Sequence, residues 1–223
     1  MSTSTDSSGF TLVELLVSIT LGITILLTTT QLFVDSRESF QYEQQWLDLH
    51  ERGRHLVQFL SAEIKKIGYP ADSFSGTALS ATDDSGEKSS DSLTISYQGA
   101  KDCAGSSSTT VLYYLDNSNF MCNGNGSSSP SPQTLTSYID GLQFRFGIDL
   151  DEDGSIDRYL DANDISDWDK VDTIQVAILL KSQLAVRQAS DTSSYDLLGI
   201  THGPFNDKYL RTIYQTTTQL RNR

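Results

Sequence analysis

Residues 10–34 read FTLVELLVSITLGITILLTTTQLFV, an apolar run that is interrupted early by the carboxylate of Glu14. A helix of about this length crosses the hydrocarbon core of a bilayer, which is about 30 Å thick. A carboxylate in hydrocarbon is costly, so an acidic residue inside such a segment indicates a functional requirement. The run therefore predicts a membrane-embedded helix in which Glu14 has a specific task.

The start of this run carries a recognisable motif. Residues 9–18, GFTLVELLVS, resemble the cleavage motif of type IV prepilins and of type II secretion pseudopilins, in which Gly9, Phe10 and Glu14 match the characteristic positions. The resemblance implies that prepilin peptidase cuts between Gly9 and Phe10 on the cytoplasmic side and methylates the new amino terminus. Residues 1–9 would then be the leader, although they lack the basic residues that family leaders usually carry.

The same resemblance implies a role for Glu14. In a filament the apolar helices pack side by side, and Glu14 would pair with the Phe10 amine of a neighbouring subunit. A paired buried charge of this kind fixes the axial register of the subunits. The alternative is a glutamate near a helix end that extends to the lipid headgroups.

The helix is predicted to continue beyond the membrane, from Phe10 to Ile67. Gly68 and Pro70 then supply a stop signal. Residues 10–34 form the transmembrane or filament-core part, and residues 35–68 form an amphipathic half that packs on a periplasmic globular domain of residues 69–223. Apolar residues recur in the second half at helical spacing, namely Trp46, Leu49, Leu56, Leu60, Ile64 and Ile67.

The remainder of the chain reads as strands and polar loops. This pattern and the pilin resemblance predict an α+β fold, pilin-like, with a long N-terminal α-helix packed on an antiparallel β-sheet domain. Strands are expected at residues 93–97, 111–115, 120–122, 135–146, 171–180 and 209–220, and loops at 71–92, 123–133 and 186–208.

The two cysteines flank a predicted hairpin. If the apolar run spans the inner membrane, Cys103 and Cys122 face an oxidising compartment where disulfides persist. They would close a loop of about 20 residues, which is worth roughly 3 kcal/mol. Two free thiols are the alternative, and a C-x-x-C redox motif is absent from the sequence.

An acidic segment follows the fourth predicted strand. Asp149, Asp151, Asp153 and Asp157 have the D-x-D-x-D-G-x-x-D spacing of a calcium loop, and Ca²⁺ takes six to eight oxygen ligands. Leu160 stands where an EF-hand has its bidentate glutamate, so the motif is incomplete. The sequence predicts a calcium site here, and an acidic turn between strands is the alternative.

Charge and motif content narrow the function further. The formal net charge of −13 argues against direct binding of nucleic acid, which needs a basic surface. His50 and His55 are five residues apart, about 140° around a helix, and therefore cannot share a zinc ion as an i, i+4 pair does. We expect no enzymatic activity, and no cofactor other than calcium.

Two longer segments narrow the family. FRFGIDLDEDGSIDRYLD at residues 144–161 and TTTQLRNR at residues 216–223 resemble the PilW minor pilins, which are relatives of the secretion pseudopilin PulJ (GspJ). The resemblance implies a minor pilin that takes part in priming type IV pilus assembly, with a position at the pilus tip. The alternatives are a minor pseudopilin of type II secretion and a calcium-dependent pilus-tip adhesin.

The resemblance also implies partners and a location. The expected partners are other minor pilins, the major pilin, the inner-membrane assembly platform and prepilin peptidase. The expected location is the inner membrane, as a single-pass protein with a periplasmic C-terminal domain, followed by the pilus, or fimbrium, at the cell surface.

Overall fold

The computed structural model of the protein describes residues 9–70, 74–103, 105, 108–125, 132–151 and 153–222. Within these residues the chain forms one long α-helix followed by eleven β-strands. It divides into two compact units, one up to Gln44 and one from Gln45 onward. The α+β class predicted from the sequence is confirmed, with a long N-terminal helix and antiparallel sheets.

Helix α1 runs from Leu12 to Ile64 and contains 53 residues. It begins two residues later and ends three residues earlier than the predicted Phe10 to Ile67. At its C-terminal end the Ile67 N–H bonds to the Ile64 carbonyl over 3.2 Å, and Gly68 has a positive φ of 71°. A tighter final turn and a left-handed glycine are common ways of ending a helix.

The part of α1 in the second unit buries one face. Leu49, Leu56, Leu60 and Ile64 are buried along it, as the spacing predicts. Trp46, predicted to belong to the same stripe, is 39% exposed. Its indole ring instead packs edge-on against the ring of His50, with centroids 4.4 Å apart.

The first half of the globular unit is a five-stranded antiparallel sheet in the order β1-β2-β3-β4-β5. Strands β3 and β4 are joined by a tight turn in which Asn117 and Ser118 both have positive φ, the geometry of a type I′ hairpin. The strands are β1 (Leu79–Thr82), β2 (Ser92–Gln98), β3 (Ser108–Asp116), β4 (Asn119–Gly124) and β5 (Gln133–Ser137).

The second half contains a four-stranded antiparallel sheet in the order β11-β8-β6-β7 and a separate β9–β10 hairpin. The hairpin lies in the predicted loop of residues 186–208, and β1 lies in the predicted loop of residues 71–92. The strands are β6 (Ile139–Ile148), β7 (Arg158–Leu160), β8 (Val171–Ala185), β9 (Tyr195–Leu197), β10 (Ile200–His202) and β11 (Tyr209–Gln219).

The prediction of a single strand over residues 135–146 is wrong. The extended backbone is interrupted at Tyr138, which has a φ of 67°, so that β5 and β6 belong to different sheets. Parts of two predicted loops lie outside the described residues, namely residues 71–73 of the loop 71–92 and residues 126–131 of the loop 123–133.

The hydrophobic core joins α1 to both sheets. Leu60 of the helix, Ile95 and Tyr113 of the first sheet, and Phe144 and Val176 of the second belong to one buried cluster. Close approach of the helix is made possible by Gly53, because a Cβ at this position would overlap the ring of Tyr214 on β11. The helix therefore packs against the second sheet at a position that requires glycine.

The second sheet is also covered on its other face. Leu197 of β9 packs on Ala177 and Leu179 of β8 in a second small cluster. Strand β8 is thus buried on both faces, which explains why residues 176–180 read as a continuous apolar run rather than an alternating one.

Cys103 and Cys122 form a disulfide, with Cα atoms 6.4 Å apart and a sequence separation of 19 residues. Of the two alternatives left open by the sequence, the structure contains the disulfide. It fastens the segment after β2 to the buried side of β4.

Replacing both cysteines by serine is expected to lower the free energy of unfolding by about 3 kcal/mol, because the crosslink restricts the unfolded chain. Urea unfolding of the full chain in detergent measures this change. Wild-type protein reduced with dithiothreitol is the matched control and should lose a similar amount. A double-serine variant within about 0.5 kcal/mol of the oxidised wild type would contradict the expectation.

Candidate functional site

The predicted processing site lies at the first residues that the structure describes. Gly9 and Phe10 precede α1, and the Phe10 side chain is 77% exposed. A Cβ at Gly9 would meet no atom within 4 Å, so packing in the described structure does not require glycine there. A requirement for glycine would come from the peptidase, and cleavage stays a prediction because leader residues 1–8 lie outside the described residues.

Glu14 takes part in a hydrogen-bonded cap at the start of α1. Its Oε2 accepts from the Thr11 N–H over 3.0 Å and from the Thr11 hydroxyl over 2.9 Å, while the Thr11 hydroxyl accepts from the Glu14 N–H over 3.2 Å. This reciprocal arrangement is a capping box, whose sequence signature T-x-x-E is present in Thr-Leu-Val-Glu. The cap was not predicted above, although residues 11–14 carry its signature.

The apolar run leaves its large side chains exposed. Phe10, Leu12, Leu27, Leu32 and Phe33 each expose more than 60% of their surface. Helix α1, which contains most of this run, is long and apolar enough to cross a membrane, and none of its most apolar stretch is buried in the structure. An exposed apolar surface of this size needs either lipid or other helices around it.

The hydroxyl groups in the run are satisfied within the helix itself. Apart from that of Thr11, each donates a hydrogen bond to a backbone carbonyl three or four residues earlier, at distances of 2.7–3.1 Å. Internal satisfaction lowers the cost of placing these groups in hydrocarbon. The residues concerned are Ser18, Thr20, Thr24, Thr28, Thr29 and Thr30.

Three of the four predicted calcium ligands come together in the β6–β7 loop. One carboxylate oxygen from each of Asp149, Asp151 and Asp153 lies within 4.8 Å of the others. Asp157 lies outside this group, because it is next to the first residue of β7 and its carboxylate accepts from the Leu150 N–H over 2.7 Å. Calcium binding stays a prediction for this loop.

A second group of acids, Asp83, Asp84 and Asp91, meets the same distance criterion. Asp91 is 2% exposed, and its carboxylate accepts from the backbone N–H groups of Asp84 and Phe144. Burial raises the pKa of Asp91 to about 7, and the charges of Asp83 and Asp84 add to the effect. The group was not predicted, because its members meet only when the segment before β2 folds back along the edge of β6.

Calcium is expected to stabilise the wild-type chain and to have less effect on an Asp151→Asn, Asp153→Asn double variant. Extracellular calcium modules bind with a Kd of about 10⁻⁴–10⁻³ M, so 10 mM CaCl₂ should add roughly 1.4–2.7 kcal/mol. The unfolding midpoint in CaCl₂ and in EDTA measures this. An Asp116→Asn, Asp169→Asn variant, which removes the same charge from exposed residues outside both acid groups, is the control. Equal calcium effects in both variants would leave the β6–β7 loop as an acidic turn.

The two histidines considered for zinc have different neighbours. The Nδ1 atom of His50 is hydrogen-bonded to the hydroxyl of Tyr214, whereas Nε2 of His55 lies 3.7 Å from a Glu51 carboxylate oxygen. The potential metal-ligand groups among the described residues contain only aspartates.

A buried charge cluster joins the strands of the second sheet. The Arg211 side chain is 1% exposed and donates to Asp140 over 2.9 Å and to both oxygens of Asp207 over 2.6 and 2.7 Å. Lys88 and Lys181 also contact Asp140. Burial alone would raise the pKa of Asp140, but the hydrogen bond from Lys88 and the charges of the three cations outweigh it and lower this pKa.

Little in the sequence indicates this cluster. Asp140 lies in a strand segment, YIDGLQF, and its partners are between 41 and 71 residues away along the chain. An isolated aspartate among apolar strand residues was the available signal, since such a residue needs a buried partner.

The comparisons with known proteins agree with the fold and with the resemblance to the PilW family. Residues 103–222 match the family model PilW, described as type IV pilus-assembly protein W. The fold is similar to the type IV-like pilin TTHA1219 from Thermus thermophilus, with a TM-score of 0.51 and 14% identity over 77% of this chain and 96% of that chain. No curated protein matches the chain in sequence. Because the matched segment covers more than half of its 223 residues, the chain belongs to the PilW family of type IV pilus-assembly proteins.

Proposed function

We propose that the protein is a minor pilin that takes part in priming type IV pilus assembly and sits at the pilus tip. The observation that carries this proposal is the exposed apolar first part of α1, with Glu14 at its start, on a chain of the PilW family. A helix of this kind can be held by lipid before assembly and by other pilin helices afterwards.

The proposed sequence of events begins in the inner membrane. Residues 10–34 span the bilayer once, and the C-terminal domain lies in the periplasm. Prepilin peptidase removes residues 1–9 and methylates the amino group of Phe10. The assembly platform then brings the subunit together with other minor pilins and the major pilin.

On assembly, the carboxylate of Glu14 changes its interaction partner. In the structure its Oε2 is held by Thr11 of the same helix. In the filament we propose that Glu14 pairs with the Phe10 amine of a neighbouring subunit, which compensates the charge away from water. The structure of the isolated chain supports the first half of this exchange, since the cap presents the carboxylate at the helix start.

Deletion of the gene tests the proposal. Sheared surface pili and exported hydrolases are measured in the same cells, with complementation by the wild type or by a Glu14→Ala copy. We expect pili to be lost and export to be normal, with restoration by the wild type alone. Normal pili with hydrolases trapped in the periplasm would instead place the protein in type II secretion.

A calcium-dependent adhesin is the second candidate, and the group formed by Asp149, Asp151 and Asp153 is the observation that favours it. This function requires that calcium alters ligand binding rather than only the stability of the fold. Pili that assemble without the protein but no longer attach to a surface in the presence of calcium would support it.

A further inference from the structure

We propose that the outer face of the five-stranded sheet binds a neutral glycan. The side chains of β2 and β3 alternate, so that Leu93, Ile95, Val111 and Tyr113 are buried while their neighbours are on the opposite face. We call these outward positions the hydroxyl face, because most of them carry hydroxyl or amide groups. Its members are Ser80, Thr82, Ser92, Thr94, Ser96, Gln98, Thr110, Leu112, Tyr114, Asp116, Asn119, Met121, Asn123 and Thr134.

The sheet register arranges these groups in rows across the strands. Ser96 is opposite Thr110 with their hydroxyl oxygens 3.0 Å apart, and Thr82 is opposite Ser92 with oxygens 2.7 Å apart. In each hydrogen-bonded pair one hydroxyl donates, and lone pairs remain on both oxygens. The rows therefore offer donors and acceptors side by side, as the vicinal hydroxyl groups of a sugar do.

The charge of the hydroxyl face differs from that of the whole chain. The protein has a formal net charge of −13, with 29 acidic and 16 basic residues. On this face Asp116, at the end of β3, is the one charged member, and none of the members is basic. An anionic ligand would lack cations to pair with, whereas an uncharged polyhydroxyl ligand matches both the charge and the hydrogen-bonding groups.

Apolar side chains lie within the face. Tyr114 and Leu112 are partly exposed on β3, whereas Met121 of β4, which is paired with Tyr114, is only 9% exposed and supports the tyrosine from the neighbouring strand. The Tyr114 hydroxyl makes no hydrogen bond to any residue that the structure describes. A pyranose ring has an apolar C–H face that packs on such side chains while its hydroxyl groups reach the surrounding polar groups.

A cavity of about 270 Å³ opens at one corner of the face, with room for a single sugar residue. Its wall contains the hydroxyl, amide and aromatic side chains of Phe74, Thr77, Ser96, Gln98, Thr110 and Asn125. Charged side chains are absent from its lining among the described residues. The cavity therefore repeats the chemistry of the face in a concave form, which favours a saccharide end or branch.

This inference is independent of the priming role and differs from the adhesin candidate above. The hydroxyl face belongs to the first sheet, whereas the acidic loop of residues 149–157 joins two strands of the second. Glycan binding by this face should therefore be unaffected by EDTA. Failure to bind glycan would leave the pilus-assembly test unchanged.

An array of neutral and acidic oligosaccharides tests the inference, with the full chain in detergent micelles as the probe. The neutral set contains hexose, deoxyhexose and N-acetylhexosamine units, and the acidic set contains sialylated and sulfated forms. Tyr114→Ser changes the face alone, whereas Thr110→Val changes a residue that belongs to both the face and the cavity. Tyr159→Ser is the matched control, because Tyr159 is an exposed tyrosine on the other sheet, and thermal unfolding verifies that each variant is folded.

We expect binding to neutral oligosaccharides, with the Kd raised about tenfold by Tyr114→Ser and by Thr110→Val and changed less than about twofold by Tyr159→Ser. The inference is overturned if no neutral glycan binds, if acidic glycans bind more tightly, or if the two face variants bind as the wild type does. It is equally overturned if the face variants abolish binding to another pilin subunit without affecting any glycan.

Discussion

Replacing Arg211 by methionine is expected to lower the free energy of unfolding by about 3–5 kcal/mol, the range found when one partner of a buried ion pair is removed. The guanidinium group contacts Asp140 and Asp207 and stacks on the ring of Phe205 at 3.7 Å from its centroid. Without it, the Asp140 carboxylate stays buried with Lys88 and Lys181 as its remaining cations. Methionine preserves much of the apolar bulk, so the loss reports the charge interactions.

Urea unfolding of the full chain in detergent at neutral pH measures this change. Arg145→Met is the matched control, because Arg145 forms a pair with Asp161 in which both side chains are more than a third exposed. Such a surface pair contributes less than about 1 kcal/mol. Equal losses for the two variants would mean that the buried cluster is no more stabilising than a surface pair.

The pH dependence offers a second measure of the same cluster. The pKa of Asp140 is lowered in the folded protein, so its ionised form stabilises the fold above the unfolded pKa of about 4. This contribution is lost as the pH falls through the folded pKa. The free energy of unfolding of Arg211→Met should therefore decrease less between neutral and acidic pH than that of the wild type. Urea unfolding at a series of pH values measures this difference.

The parts of the fold that were predicted from the sequence depend on local patterns. Leu49, Leu56, Leu60 and Ile64 recur at the helical period because one face of α1 is buried, so their spacing alone locates the packed face. The hairpin between β3 and β4 was likewise indicated by its turn residues, and the spacing of Cys103 and Cys122 placed them across it.

The parts that were missed depend on contacts between distant segments. Tyr138 breaks a run that reads as one strand, because β5 completes the first sheet and β6 begins the second. The two strands of the β9–β10 hairpin have three residues each, too few to display an alternating pattern, and the role of Leu197 depends on its packing against β8. Neither the interruption at Tyr138 nor the short hairpin is marked by an alternating apolar pattern or a turn motif that can be recognised in a single sequence.

The candidate site residues also fall into those that a local motif predicts and those that depend on distant contacts. Gly9, Phe10 and Glu14 were found because the motif is contiguous, and the capping box with Thr11 was also present in the same four letters. The acid group of Asp83, Asp84 and Asp91 was missed, because the Asp91 carboxylate is positioned by a hydrogen bond that it accepts from the backbone N–H of Phe144, 53 residues away in β6.

Replacing Glu14 by glutamine is expected to abolish pilus assembly as fully as replacing it by alanine. The glutamine carbonyl can accept the same hydrogen bonds from Thr11, so the helix cap is preserved. The charge that would pair with the Phe10 amine of the next subunit is removed. Loss of one partner of a buried pair costs about 3–5 kcal/mol, which predicts that incorporation of the variant subunit falls at least about a hundredfold. The amount of surface pili should then be as low as in the deletion strain.

Thr11→Ala provides the complementary change, since it removes the hydroxyl of the cap and keeps the Glu14 charge. Loss of an N-cap costs about 1 kcal/mol, so we expect pili in reduced but measurable amount. Sheared pili are compared among strains expressing equal amounts of the wild type and of each variant. The mobility shift on removal of residues 1–9 verifies that each variant is still processed. If Glu14→Gln assembles like the wild type while Thr11→Ala does not, the carboxylate acts through the helix cap and the proposed pairing between subunits is wrong.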